Sequence, residues 1–216
     1  MTYLLRKHLL DHGYERVGPK LVGDVHQRSR RGGVRPWLHV RKDIIRHLKE
    51  DRRCISTTMV DYYGLPRSRD GAWPGHARAA ALAFGNRAAA VEKAVFKTFA
   101  PEWAEVSIPP ALYPFVVMHE FEGLLFSDRA AFARGLQRPD VEAALQAIRN
   151  QFATPEEIND SPTTAPPKRL VKLIPRYQKP LLGVRAASEI GLQKIAEECP
   201  HFRNWLTILE ARAARA

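Results

Sequence analysis

The segment Cys54-Ile55-Ser56-Thr57-Thr58-Met59-Val60-Asp61 decides how this chain is read. It is short, rich in β-branched residues and followed by turn chemistry at Tyr63-Gly64-Leu65-Pro66. That pattern predicts a buried strand of the parallel-sheet kind, with Asp61 at its carboxyl end. A second segment of the same character, Leu112 to Met118, contains Tyr113, Phe115, Val116 and Val117 and delivers His119, Glu120 and Glu122 directly beyond its own carboxyl end. The sequence around these two strands has helical periodicity. Together they predict an α/β fold, a small and mostly parallel sheet flanked by helices.

At the start of the chain, Tyr3 to His12 places apolar residues at helical spacing and stops at Gly13, so the chain opens in a helix. Val17 to Val22 reads as a short strand and Asp24 to Pro36 as a basic, glycine-containing loop. Leu38, Ile44, Ile45 and Leu48 form the apolar stripe of a helix over Leu38 to Glu50, whose other face is basic. Ala77 to Ala100 predicts one long helix or two, with Gly85-Asn86 as the break, and a further helix is expected to start just past His119. Val141 to Phe152, Ser188 to Glu198 and His201 to Arg212 read as helices, and Thr154 to Pro167 as a polar, proline-rich linker. The expected organisation is an α/β core over residues 1–150, then a linker and basic helical extension of the same domain over residues 151–216.

With 216 residues and 45% apolar content, the chain can bury one sizeable core, which excludes global disorder. It has no apolar run approaching the ~18 residues of a membrane span. Met1 to His8 is too short and interrupted for a signal peptide, so a cytoplasmic protein without membrane association is expected. Cys54 and Cys199 have no partner at metal-ligand spacing and read as plain reduced thiols. Lys and Arg number 34 against 23 Asp and Glu, a formal charge of +11, which favours a polyanionic partner such as nucleic acid. The positive charge concentrates in two clusters. Arg41 and Lys42 lie in the first, from Arg28 to Arg53; Lys168, Arg169, Lys172 and Lys179 lie in the second, and these six are the candidate phosphate contacts.

Ligands of open α/β sheets bind beyond the carboxyl ends of the strands, and here both strand ends present acids. Asp61, Glu120 and Glu122 offer hard oxygen ligands suited to Mg²⁺ or Mn²⁺, an ion that can bridge to phosphate, polarise a phosphodiester and generate a hydroxide nucleophile. His119 is placed to orient an acid, shuttle a proton or donate a nitrogen to the metal. A structural reading of the same residues stands beside this one: Glu120 caps a helix, Glu122 is solvated and Asp61 closes a turn. His119-Glu120-Phe121-Glu122 lacks a second histidine at helical spacing, which disfavours zinc there. There is no P-loop, and Ser161, Thr163 and Thr164 have no base near them in sequence.

Three phrases carry a family resemblance. They are Thr57-Thr58-Met59-Val60-Asp61-Tyr62-Tyr63-Gly64-Leu65-Pro66, Tyr113 through His119-Glu120-Phe121-Glu122-Gly123-Leu124-Leu125-Phe126-Ser127-Asp128, and Ser161-Pro162-Thr163-Thr164-Ala165-Pro166-Pro167-Lys168-Arg169. With Ile190-Gly191-Leu192 and Cys199-Pro200-His201-Phe202, they resemble a bacterial family known as domain of unknown function 4276. The resemblance implies a Toprim-like α/β fold, related to metal-dependent nuclease domains of overcoming-lysogenization-defect enzymes and topoisomerases. It also implies frequent pairing with an AAA or ABC-type ATPase and a role in phage defence. Members similar to this chain open with a strand, Glu-Gly and a Thr-Glu pair that supply the signature acid. Here Thr2-Tyr3 stands where their opening helix has already begun, so a truncated start is expected. Toprim domains also carry Asp-x-Asp, whereas this chain has Asp61-Tyr62-Tyr63, leaving Glu120 or Glu122 to compensate.

Three functions follow as expectations: a metal-dependent nuclease using Asp61, His119, Glu120 and Glu122, a non-catalytic module that binds an ATPase partner or nucleic acid, and a small-molecule phosphohydrolase. Fold analogy alone does not choose among them.

Overall fold

The computed structural model describes residues 2–20, 34–51, 53–66, 71–103, 111–158, 174 and 179–213. The chain divides into two compact units: a central one, Lys20–Met118, and a terminal one made of Met1–Pro19 and His119–Ala216.

Among the described residues, four short strands form the sheet structure of the central unit. β1 (Ile55–Thr57) pairs in parallel with β3 (Ala111–Tyr113), and β2 (Val60–Asp61) pairs in parallel with β4 (Val116–Val117). The two expected strands are therefore each interrupted once, although the residue offset is the same in both ladders. The cause is Pro114. It has no N–H to donate, so the ladder cannot run through it. Thr58 fills the gap: its hydroxyl donates to the Phe115 carbonyl at 3.1 Å and accepts from the Phe115 amide at 3.0 Å. One side chain thus serves both backbone groups of a residue that is 1% exposed.

Helices pack against these strands. α2 (Trp37–Glu50) buries Trp37, Val40 and Leu48, with Ile44 and Ile45 packed against the core. The expected stripe is corrected at its start, since Leu38 is 67% exposed and Trp37 takes the inward position. Trp37 lies 4.9 Å from Trp73 and 5.9 Å from Phe99, between ring centroids, which gives the core an aromatic centre. Residues 77–100 form α3 (His76–Ala79) and α4 (Phe84–Lys97), followed by α5 (Ala100–Trp103). The break falls at residues 80–83, so Gly85 and Asn86 lie inside the first turn of α4. Gly75, at φ 77°, lets α3 approach α4 closely; a Cβ there would come within 2.7 Å of Ala94 Cβ.

In the terminal unit, α1 (Thr2–Asp11) ends as its sequence requires. Gly13 takes φ 105°, the Tyr14 amide bonds to the Leu9 carbonyl and the Gly13 amide to the Leu10 carbonyl, each at 3.1 Å. This is a Schellman motif, with glycine where a left-handed residue is needed. Residues 17–20 of the expected Val17 to Val22 strand carry no strand structure, and residues 21–22 lie outside the described residues.

Past His119 the expected helix begins, and it is a 3₁₀ helix, Phe121–Ser127. Six of its residues, Glu122 to Ser127, are buried, so no amphipathic stripe exists to favour an α-helical face. Asp128 then caps α6 (Arg129–Gly135), its carboxylate accepting from the Ala131 amide at 2.9 Å. α7 (Glu142–Arg149), α8 (Lys179–Ile190), α9 (Leu192–Glu198) and α10 (Pro200–Ala213) complete the unit. Gly135 lets α6 sit directly on α8, because a Cβ there would overlap the Ala186 backbone. The expected Ser188 to Glu198 helix is divided at Gly191, where φ is 78°. The described part of the expected linker is not a linker either: Pro155 and Ile158 are buried, and Glu156 accepts from the amides of His201 and Phe202 at 3.0 and 2.9 Å, capping α10. Residues 159–167 lie outside the described residues. Among the described residues no helix is long and apolar enough to cross a membrane.

Candidate functional site

Asp61 closes β2 in the central unit, in register with Val117 of β4, and the Tyr62 amide bonds to the Val117 carbonyl at 2.8 Å. This is the expected placement: a half-buried carboxylate at the carboxyl end of a parallel strand. Asp61 also turns the chain, since Oδ1 accepts from the Tyr63 amide at 3.0 Å and its carbonyl accepts from the Gly64 amide at 3.1 Å. Gly64 lies against the carboxylate, and a Cβ there would be in van der Waals contact with Oδ2 at 3.4 Å. Tyr62, 2% exposed and stacked edge-on against His76 at 4.7 Å, anchors the strand end in the core. On β4, the Val116 amide donates to Glu92 Oε1 of α4 at 2.7 Å.

His119, Glu120 and Glu122 belong to the terminal unit and follow Val117 in the chain by two, three and five residues. His119 is buried, 2% exposed. Glu120 occupies the N-cap position of the 3₁₀ helix, where its carbonyl accepts from the Gly123 amide at 2.9 Å and its side chain makes no capping bond. Glu122 is 5% exposed, which rules out the solvated role. A carboxylate at that depth needs hydrogen-bond donors or a cation around it.

Of the expected phosphate contacts, Lys42 is exposed on α2. Arg41 is turned inward: its guanidinium donates to the Thr98 carbonyl at 2.9 and 3.2 Å and lies 5.5 Å from the centre of the Phe99 ring. Lys168, Arg169 and Lys172 lie outside the described residues, and Lys179 opens α8.

A basic cleft escaped the sequence reading. The central unit holds a cavity of about 760 Å³ with Tyr62 and Tyr63 in its wall and four cations around it, Arg78, Arg87, Lys93 and Lys97. Among the described residues that line it there is no Asp or Glu. Arg87 reaches the Tyr63 hydroxyl at 3.4 Å, which ties one cation to the turn after Asp61. Part of the signal was present in the sequence, since Lys93 and Lys97 are one helical turn apart on α4. They were missed because they are spaced among alanines. A second cavity of about 680 Å³, in the terminal unit, is different, because two of its three cations, Arg149 and Lys194, pair with Glu198 at 3.3 and 2.9 Å. Hydrogen bonding from Lys194 holds that carboxyl below its ordinary range.

Cys199 is fully buried beside Ser127, and burial pushes its thiol up to about 12. Cys54 is half-buried, with its sulfur 3.3 Å from His47 Nε2. Neither forms a disulfide.

No curated protein and no solved structure matches this chain. A family model matches residues 1–210, nearly its whole length, and the chain belongs to the family described as Domain of unknown function (DUF4276).

Proposed function

We propose that this protein is a divalent-metal-dependent phosphodiester hydrolase acting on nucleic acid, with Asp61, Glu120 and Glu122 as its metal-binding acids and Mg²⁺ or Mn²⁺ as the ion. The observation that carries the reading is Asp61 at the carboxyl end of β2, paired with the strand whose continuation is His119-Glu120-Phe121-Glu122. Such strand ends are where α/β proteins hold their ligands. When bound, the ion would supply a Lewis acid for the phosphoryl oxygen and a water of lowered pKa. His119 is the candidate for proton transfer. The cleft with Arg78, Arg87, Lys93 and Lys97 suits a phosphate backbone. By the family resemblance, the proposal extends to a cytoplasmic Toprim-like protein that works with an AAA or ABC-type ATPase in phage defence.

The Asx turn made by Asp61 favours one alternative, a non-catalytic module in which this acid is structural. Cleavage assays separate the two. The full chain is incubated with Mn²⁺ and single- and double-stranded DNA and RNA, with and without its neighbouring ATPase, beside Asp61→Asn. Asparagine keeps the turn-closing oxygen and removes the charge. Cleavage by wild type that falls by roughly 100-fold or more in Asp61→Asn supports the hydrolase. Intact substrates under every condition support the binding module.

A further inference from the structure

The strongest unassigned cluster lies in the terminal unit, where α1 meets the end of α10. His8 and His12 stand one helical turn apart at the end of α1, and Glu210 lies in the last turn of α10. His8 Nε2 is 2.6 Å from Glu210 Oε1 and His12 Nε2 is 3.9 Å from the same oxygen. One ligand atom from each of the three residues falls within 4.8 Å of the others. The two imidazoles lie side by side, with ring centroids 4.1 Å apart.

We propose that His8, His12 and Glu210 bind a divalent transition-metal ion of the zinc class, which joins α1 to α10. Two imidazoles and one carboxylate match zinc in ligand type, and a fourth position is left for water. A tetrahedral ion with Zn–N bonds of about 2.0–2.1 Å needs ligand atoms roughly 3.3 Å apart. The shortest pair must open, and the 3.9 Å pair close, by well under an ångström each.

His12 is held for this role. Its Nδ1 donates to the His8 carbonyl at 2.7 Å, which fixes the tautomer and leaves the Nε2 lone pair for a metal. The backbone around the cluster is also fixed, by the Schellman motif at Gly13 and by the Tyr14 hydroxyl donating to the Leu209 carbonyl at 2.8 Å. Both helices present their carbonyl ends here, the end of a helix that favours a cation. On binding, the metal takes the place of the hydrogen between His8 Nε2 and Glu210, and His8 ligates through Nε2 as the neutral imidazole with its proton on Nδ1.

The site does not depend on the hydrolase reading. Its test is a titration of the metal-stripped full chain with Zn²⁺ by calorimetry and with Co²⁺ by visible absorption, for wild type, His12→Gln, Glu210→Gln and Asp61→Asn. One ion per chain, tetrahedral cobalt bands, a Zn²⁺-dependent rise in melting temperature, and affinity about 100-fold weaker in His12→Gln and Glu210→Gln but unchanged in Asp61→Asn are expected. Circular dichroism confirms that each variant is folded. Absent cobalt bands, or affinity unchanged in both cluster variants, would overturn the site and leave an ordinary histidine–glutamate pair.

Discussion

Thr58 and Phe115 exchange two hydrogen bonds through a single hydroxyl, at the point where Pro114 stops the parallel ladder. The strands on either side keep one register because this side chain stands in for the missing backbone partner. Thr58→Val preserves shape and β-propensity but removes the hydroxyl that accepts from the buried Phe115 amide, while the Phe115 carbonyl keeps the Val60 amide at 3.4 Å. It should cost about 1–3 kcal/mol in urea unfolding, with Thr58→Ser recovering most of the loss. Equal stability of the valine variant and wild type would show that the ladder does not need the hydroxyl.

Glu156 gives the terminal unit a definite pH dependence. Burial raises its carboxyl above the ordinary value of 4.5, against the opposing pull of the His201 and Phe202 amides. A folded pKa above the unfolded one means that the native state holds the proton more tightly. The associated stability is full below the unfolded pKa and is lost as pH rises through the folded one. The stability of wild type relative to Glu156→Gln should therefore rise as pH is lowered from 7 towards 4.5. Urea midpoints across that range test this, and a difference that stays flat or runs the other way refutes it.

The two thiols should react at very different rates. Cys199, pushed up to about 12 by burial, should resist a disulfide reagent at pH 8 until denaturant is added, whereas Cys54 should react in the native protein. Thiol counting on wild type and Cys199→Ser reads this directly. Two equally fast equivalents in the native protein would contradict the buried placement.

Much of the fold was legible in the sequence, and the errors share a physical cause. Cys54 to Asp61 and Leu112 to Met118 announced themselves as parallel partners through β-branching, and Gly13 marked a helix end that only glycine satisfies without strain. What single-segment patterns could not show was where one element depends on another. The proline gap is filled by a threonine from a distant strand, Trp37 takes the inward place assigned to Leu38, and Glu156 caps a helix 45 residues later. The candidate site divides in the same way. Asp61 at a strand end followed from local rules, whereas the grouping of Arg78 with Lys93 and Lys97, or of His8 with Glu210, exists only in the folded chain.

The basic cleft predicts its own variants. Lys93→Glu with Lys97→Glu should weaken binding of a fluorescent single-stranded oligonucleotide at least tenfold. It should also flatten the plot of log affinity against log salt by about 0.7 for each phosphate no longer neutralised. Lys42→Glu, on another helix, serves as the comparison. Affinity and salt slope unchanged in the double variant would remove the cleft from the binding surface.

Everything proposed for the reaction rests on Asp61 and its partner acids holding a hard divalent ion. A calorimetric titration of the full chain with Mg²⁺ and Mn²⁺ decides this, comparing wild type with Asp61→Asn and Glu120→Gln under conditions where all three are folded. Binding by wild type that is lost or weakened at least tenfold in both variants is the expected result. Binding that is the same in all three, or absent from all three, would contradict the proposed metal site.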